Sequence, residues 1–146
     1  MVFEATCTIE ASPETIWSIL TDAAGYADWD SGVAVRGTIA EGQKIRLVTE
    51  RAPDLAESLT DNGSSLKVSD LVPGEHMTWS GGVPFGLAKG VRTFTLEPAG
   101  EGLTRFTMRE ETSGMMLGAI AKRLPDAERT TFDRFANGLK ARAEAG

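Results

Sequence analysis

Arg92 and Glu110 are the ionisable pair whose placement could do chemistry. In "VRTFTLE" and "LTRFTMREET" apolar and polar residues alternate with the period of a strand, so Arg92 shares a face with Phe94 and Leu96, and Glu110 one with Phe106 and Met108. An arginine and a carboxylate on an apolar face have two solutions. Either they reach water at the strand ends, or they form the polar anchors of an otherwise greasy pocket. In a pocket Arg92 could stabilise an enolate and Glu110 could move a proton. Burial without a partner is costly for both, so a mutual ion pair or a polar ligand has to satisfy them.

Other reactive side chains offer less. His76 alternates with Met77 and is expected to face away from the core, which argues against a general base. Cys7 lies on the apolar phase of "VFEATCTIE" and reads as a core thiol, because a nucleophile needs a base or a positive neighbour. Asp22, Asp28 and Asp30 lack the ligand series and distal glutamate of a calcium loop and read as caps and a solvated turn. Glu110 and Glu111 are adjacent on a strand and point to opposite sides, so they are not paired carboxylates. With one histidine and one cysteine, sites that need several such ligands cannot be built, and no metal or cofactor is expected. There is no G-x-S-x-G elbow and no G-x-G-x-x-G loop.

The chain has 146 residues, the size of one domain spanning residues 1–146, and 41% hydrophobic with 25% charged residues is an ordinary globular balance. A net charge of −6 disfavours nucleic acid and anionic membrane surfaces as partners. No apolar run approaches the roughly 18 residues of a membrane span, and "MVFEATCTIE" lacks the features of a signal segment. The default expectation is a cytoplasmic protein, a monomer or weak homodimer.

The elements that must position Arg92 and Glu110 follow from periodicity. A first strand at residues 2–10 leads into "ASPETIWSIL", where Ser12 caps a short helix, Pro13 occupies its first position and Glu14 faces its positive end. Ile16, Trp17, Ile19 and Leu20 make its apolar stripe, and "TDAAGYADWD" predicts a turn into a second short helix. Six further strands are expected in "VAVRGTI", "KIRLVTE", "SSLKVSDLV", "HMTWSG", "VRTFTLE" and "LTRFTMREET", separated by turn-rich segments that predict an antiparallel meander. Residues 51–63 fit either a hairpin tip or a helical turn. Near the C-terminus Phe132, Phe135, Ala136, Leu139 and Ala143 recur at helical spacing, and Met116, Leu117, Ile120 and Leu124 extend the pattern to the other side of Pro125. That proline either kinks one long helix or separates two.

These elements make an α+β fold in which a curved sheet of seven strands is covered by one long helix. A strongly twisted sheet curls, and one helix about 10 Å wide cannot fill its concave side, so a pocket or a plug of bulky side chains is expected there. The inward set is Ile45, Leu47, Leu66, Val68, Met77, Trp79, Phe94, Leu96, Phe106 and Met108. Candidate ligand contacts are Leu47, Met77, Trp79, Phe94, Phe106 and Met108 from the sheet, with Arg92 and Glu110 as polar anchors. Leu117, Phe132 and Phe135 would close the pocket from the helix side. Trp29, at the end of the second short helix, fits a cavity entrance or a place in the core. Residues 80–91, "SGGVPFGLAKGV", read as a loop that lays Phe85 and Leu87 over the mouth, with Gly81, Gly82, Gly86 and Gly90 as hinges or with Phe85 pinning it.

The stretches "ASPETIWSILTDAAGYADWD", "VPGEHMTWSGG" and "TRFTMREETSG", in this order and spacing, resemble the START-like or helix-grip superfamily over nearly the whole chain. That superfamily takes in the major birch pollen allergen and many small bacterial proteins, and the likeness is nearest to its polyketide cyclase/dehydratase branch. The resemblance implies a sheet gripping a C-terminal helix around an apolar cavity, and a small hydrophobic molecule, such as a lipid, quinone or polyketide, as the partner. It leaves open a cyclase, aromatase or dehydratase activity in the same cavity, and a module that regulates a protein partner. Fold by itself does not choose among them.

Overall fold

The computed structural model describes residues 2–49, 64–83, 88–113 and 125–145. β1 (Val2–Ile9) is followed by α1 (Pro13–Leu20) and a 3₁₀ helix (Ala24–Asp28), then by β2 (Val33–Arg36), β3 (Lys44–Thr49), β4 (Ser64–Val72), β5 (His76–Val83), β6 (Ala88–Gly100), β7 (Leu103–Ser113) and α2 (Pro125–Ala145). The seven strands form one antiparallel sheet in the order β1-β7-β6-β5-β4-β3-β2. This is the expected meander, with β1 added beside β7 and the two short helices leading from one edge of the sheet to the other. The sheet curls into a half-barrel that holds α2, which is the helix-grip α+β fold.

Local chemistry explains the boundaries. The Ser12 hydroxyl accepts from the Thr15 amide at 3.1 Å, Pro13 opens α1, and Glu14 lies in its first turn. The helix buries a narrower stripe than expected, with Ile16 and Leu20 inside and Trp17 and Ile19 half-buried against the core. β2 stops at Arg36 because Gly37 takes φ +108°, where a side chain would be strained. β4 carries an irregularity between Ser69 and Val72, with Asp70 at φ 49°, and the Asp70 carbonyl is 2.8 Å from His76 Nδ1. α2 is described from Pro125 to Ala145; the expectations for Met116, Leu117, Ile120 and Leu124, and with them that for a kink or a break at Pro125, fall outside the described residues, as does that for residues 51–63.

One boundary differs in a way that matters for the site. The expected loop of residues 80–91 is mostly sheet: Ser80 pairs with Val91, Gly81 with Gly90, Gly82 with Lys89 and Val83 with Ala88. Gly81, Gly82 and Gly90 are therefore ladder positions and not hinges. The glycines suggested a loop because they lower strand propensity, but β6 pairs with Gly81 and Gly82, and β5 and β7 both pair with Gly90. Gly81 is demanded by curvature, since a Cβ there would collide with the Ser65 carbonyl oxygen of β4. Phe85, Leu87 and Gly86 fall outside the described residues.

The core sits between the concave face and α2. Val68, Met77, Trp79, Phe94, Phe106 and Met108 of the sheet are buried with Phe132, Phe135, Ala136, Leu139 and Ala143 of the helix, and Leu66 is half-buried. Gly138 lets α2 approach the segment after the 3₁₀ helix, because a Cβ there would strike the Asp30 carbonyl oxygen and come within 3.2 Å of Trp29.

Candidate functional site

β6 and β7 place Arg92 and Glu110 directly opposite each other on the concave face. Arg92 Nη2 is 3.4 Å from Glu110 Oε1, and the two side chains are 9% and 16% exposed. The guanidinium also lies over the ring of Phe132, 4.9 Å from its centre, an arrangement that favours a cation. Of the two solutions open to this pair, the structure takes the interior one, with each charge compensated by the other.

The next rung of the same face pairs Arg92 with Trp79 of β5. Trp79 is fully buried, edge-on to Phe94 at 4.6 Å and 6.3 Å from Tyr26. Tyr26 in turn stacks at a tilt against Trp29 at 5.3 Å and Phe135 at 5.9 Å. Phe135 is the hub of this group, also reaching Trp29, Phe94 and Phe106. Among the described residues three buried side-chain nitrogens lack a hydrogen-bond partner: Trp29 Nε1, Trp79 Nε1 and Arg92 Nε. All three are donors, and each is expensive to leave unmade in a dry interior.

Tyr26 is the residue that sequence reasoning missed. It is wholly buried, its hydroxyl donates to the Leu20 carbonyl at 2.6 Å, and burial pushes the phenol far above its ordinary pKa, against a smaller opposing pull from Arg92. The signal available was a lone tyrosine in "AAGYADW", between glycine and alanine, where the turn composition concealed a core position.

The remaining expected contacts are placed as follows. Met77, Trp79, Phe94, Phe106, Met108, Phe132 and Phe135 expose no more than 1% of their surface, and Leu47 exposes 7%. Their rings and chains pack on one another, so a guest among them has to part them. Trp29 caps the 3₁₀ helix and is half-buried with its ring in the aromatic group. Leu117, like Phe85 and Leu87, lies outside the described residues. Beyond Trp79 and Arg92 the inward phase continues as Gly81 opposite Gly90, with the Ser65 carbonyl oxygen and the Leu66 side chain over Gly81. A Cβ on Gly90 would meet only Glu110 Oε1, at 3.5 Å. A separate cleft of about 320 Å³ lies between α1 and the end of α2, lined by Thr15, Ile19, Arg142, Ala143 and Ala145. It contains none of the expected contacts and no convergent polar groups.

The weaker candidates stay apart from this site. His76 is half-exposed and bonds to the Asp70 carbonyl. Burial pushes the Cys7 thiol up, which suppresses the thiolate, and Sγ approaches the Ala136 carbonyl at 3.8 Å. Asp22 accepts from the Gly25 amide at 3.2 Å, and Asp30 pairs with Arg134 at 2.7 Å.

A family model described as "Polyketide cyclase / dehydrase and lipid transport" matches residues 1–144. The chain belongs to this family. Solved structures with the same fold include a START superfamily protein from Mycobacterium smegmatis, with 20% identity over 99% of this chain and 97% of that one and a TM-score of 0.65. The Aha1 dimer from Colwellia psychrerythraea aligns at 20% identity over 100% and 98% of the two chains, TM-score 0.71. A hypothetical protein from Helicobacter pylori aligns at 14% identity over 98% and 88%, TM-score 0.75. No curated protein sequence matches. Membership agrees with the resemblance read from the three sequence stretches, and the structural likeness extends it to the curled sheet and its helix. Among the described residues no helix is long and apolar enough to cross a membrane.

Proposed function

We propose that this protein binds a small hydrophobic molecule between the concave face of its sheet and α2. The observation that carries the reading is the buried Arg92–Glu110 pair set in an otherwise apolar wall, the makeup of a small-molecule site. The family description, which names lipid transport beside polyketide chemistry, supports the same class of ligand. In this reading Leu47, Met77, Trp79, Phe94, Phe106 and Met108 form the sheet wall, and Phe132 and Phe135 close it from α2. Trp29 completes the aromatic end. The aromatic side chains are in contact with one another, so binding proceeds by displacement and the ligand replaces ring contacts with its own.

Native mass spectrometry of freshly purified protein, followed by titration with naphthalene-sized probes, tests this. A co-purified apolar molecule or saturable probe binding is the expected result. A protein that carries nothing and takes up no probe of this size excludes it.

One observation favours catalysis as a second reading: Gly90 leaves the Glu110 carboxylate approachable beside the Arg92 guanidinium, the arrangement an enolate-forming cyclase or dehydratase needs. Arg92→Ala and Glu110→Gln would each abolish turnover of a polyketone while the fold remains. Turnover unchanged in both variants excludes these roles.

A further inference from the structure

The buried donors left without partners say more about the ligand than the apolar wall does. Trp79 Nε1 and Arg92 Nε both lack an acceptor, and the two residues are direct partners across β5 and β6 on the same face. Directly opposed residues on one face of an antiparallel pair have Cβ atoms about 5 Å apart, close enough to share one acceptor. Arg92 cannot supply the missing acceptor itself, and Trp79 has only a donor. Glu110 takes up Nη2 of the guanidinium and not Nε.

Charge selects the kind of acceptor. Arg92 is already compensated by Glu110, so the pair is neutral as a unit. Among the described residues no further buried cation is present to meet a ligand carboxylate, which would add a negative charge to a dry site, whereas a ketone, quinone or ester oxygen accepts both N–H groups without that cost. The approach is also defined. Gly81 and Gly90 follow Trp79 and Arg92 in the inward phase, are opposite each other, and are both half-exposed. Over Gly81 the Ser65 carbonyl oxygen and the Leu66 side chain fill the space, so the room beside the two donors is over Gly90, where a Cβ would meet only Glu110 Oε1.

We propose that the Trp79 indole N–H and the Arg92 Nε–H together recognise a neutral carbonyl oxygen on an apolar ligand that reaches them past Gly90. This rests on the hydrophobic-ligand reading above and adds the head group and the route.

Three probes with the same ring separate the two claims: acetylnaphthalene, ethylnaphthalene and naphthoate, titrated near neutral pH and followed by heteronuclear NMR of the indole N–H signals. The chain has three tryptophans, so the Trp79 signal is assigned by its loss in Trp79→Phe. The expected result is that acetylnaphthalene binds about tenfold more tightly than ethylnaphthalene, a difference of about 1.4 kcal/mol, and more tightly than naphthoate. Its binding moves the Trp79 indole proton downfield, and ethylnaphthalene does not. In Trp79→Phe, which leaves only the Arg92 donor, the ratio of the first two affinities falls to about threefold. Gly90→Leu, at a position with room for a Cβ, blocks all three probes while the circular dichroism spectrum stays that of the wild type.

Equal binding of acetyl- and ethylnaphthalene with an unmoved Trp79 signal overturns the donor-pair assignment and leaves the hydrophobic site intact. Preference for naphthoate overturns the neutral head group. Undiminished binding in a folded Gly90→Leu variant overturns the route. Failure of every probe to bind wild-type protein overturns both this inference and the reading on which it rests.

Discussion

Arg92 and Glu110 are register partners on β6 and β7, and their side chains meet at 3.4 Å inside the curl of the sheet. Removing one member strands the other charge with little water nearby. Arg92→Met and Glu110→Gln should each destabilise the protein by about 3 kcal/mol, and the double variant should lose less than the sum of the two. Urea denaturation of the four proteins measures this. Strict additivity would mean that the two groups do not interact.

Tyr26 is the sole tyrosine, which makes it a spectroscopic reporter of the interior. Its hydroxyl is held to the Leu20 carbonyl, and burial raises its pKa well above the ordinary 10.0. Above pH of about 10 the unfolded chain loses the phenolic proton and the folded one keeps it, so unfolding becomes easier as pH rises, by about 1.4 kcal/mol per pH unit from this group. Tyrosinate absorbance should therefore appear only together with unfolding. Tyr26→Phe should remove this part of the alkaline slope and, at neutral pH, cost about 1 kcal/mol for the hydrogen bond. Tyrosinate forming in still-folded protein would contradict the burial.

Gly138 lies inside α2, where alanine ordinarily stabilises a helix by about 1 kcal/mol. Here the added methyl would meet the Asp30 carbonyl oxygen and the Trp29 ring. Gly138→Ala should lower stability by about 2 kcal/mol in thermal or urea unfolding, because the helix has to back away from the segment it touches. A stabilised variant would show that this contact is loose.

Gly81 and Gly90 are opposite each other, yet substitution should separate them. A Cβ at Gly81 runs into the Ser65 carbonyl oxygen, so Gly81→Ala should cost about 2 kcal/mol as β4 shifts. Gly90→Ala meets one carboxylate oxygen at an ordinary contact distance, and its stability should stay within about 1 kcal/mol of wild type. Equal effects at the two positions would refute the difference in their surroundings.

Much of the frame was legible because periodicity is a local property. Alternation at Ile45 and Leu47, at Met77 and Trp79, and at Phe106 and Met108 assigned these side chains to one face, and all six are buried. The same phase carried Arg92 and Glu110 inward with their neighbours. It failed at residues 80–91, where glycine-rich composition suggested a loop and neighbouring strands impose a ladder. Tyr26 was hidden for a related reason, since a core position in a 3₁₀ helix has no stripe to announce it.

The amino-acid order alone determined the strands, the capped helix at Ser12, the C-terminal amphipathic helix and the family, because each depends on spacing within a short stretch. Only the tertiary structure decided that Arg92 meets Glu110, that Trp79 is its other neighbour, and that both tryptophan and arginine keep an N–H without an acceptor. Those facts depend on register between strands and on how sharply the sheet curls, and register is set by all seven strands together.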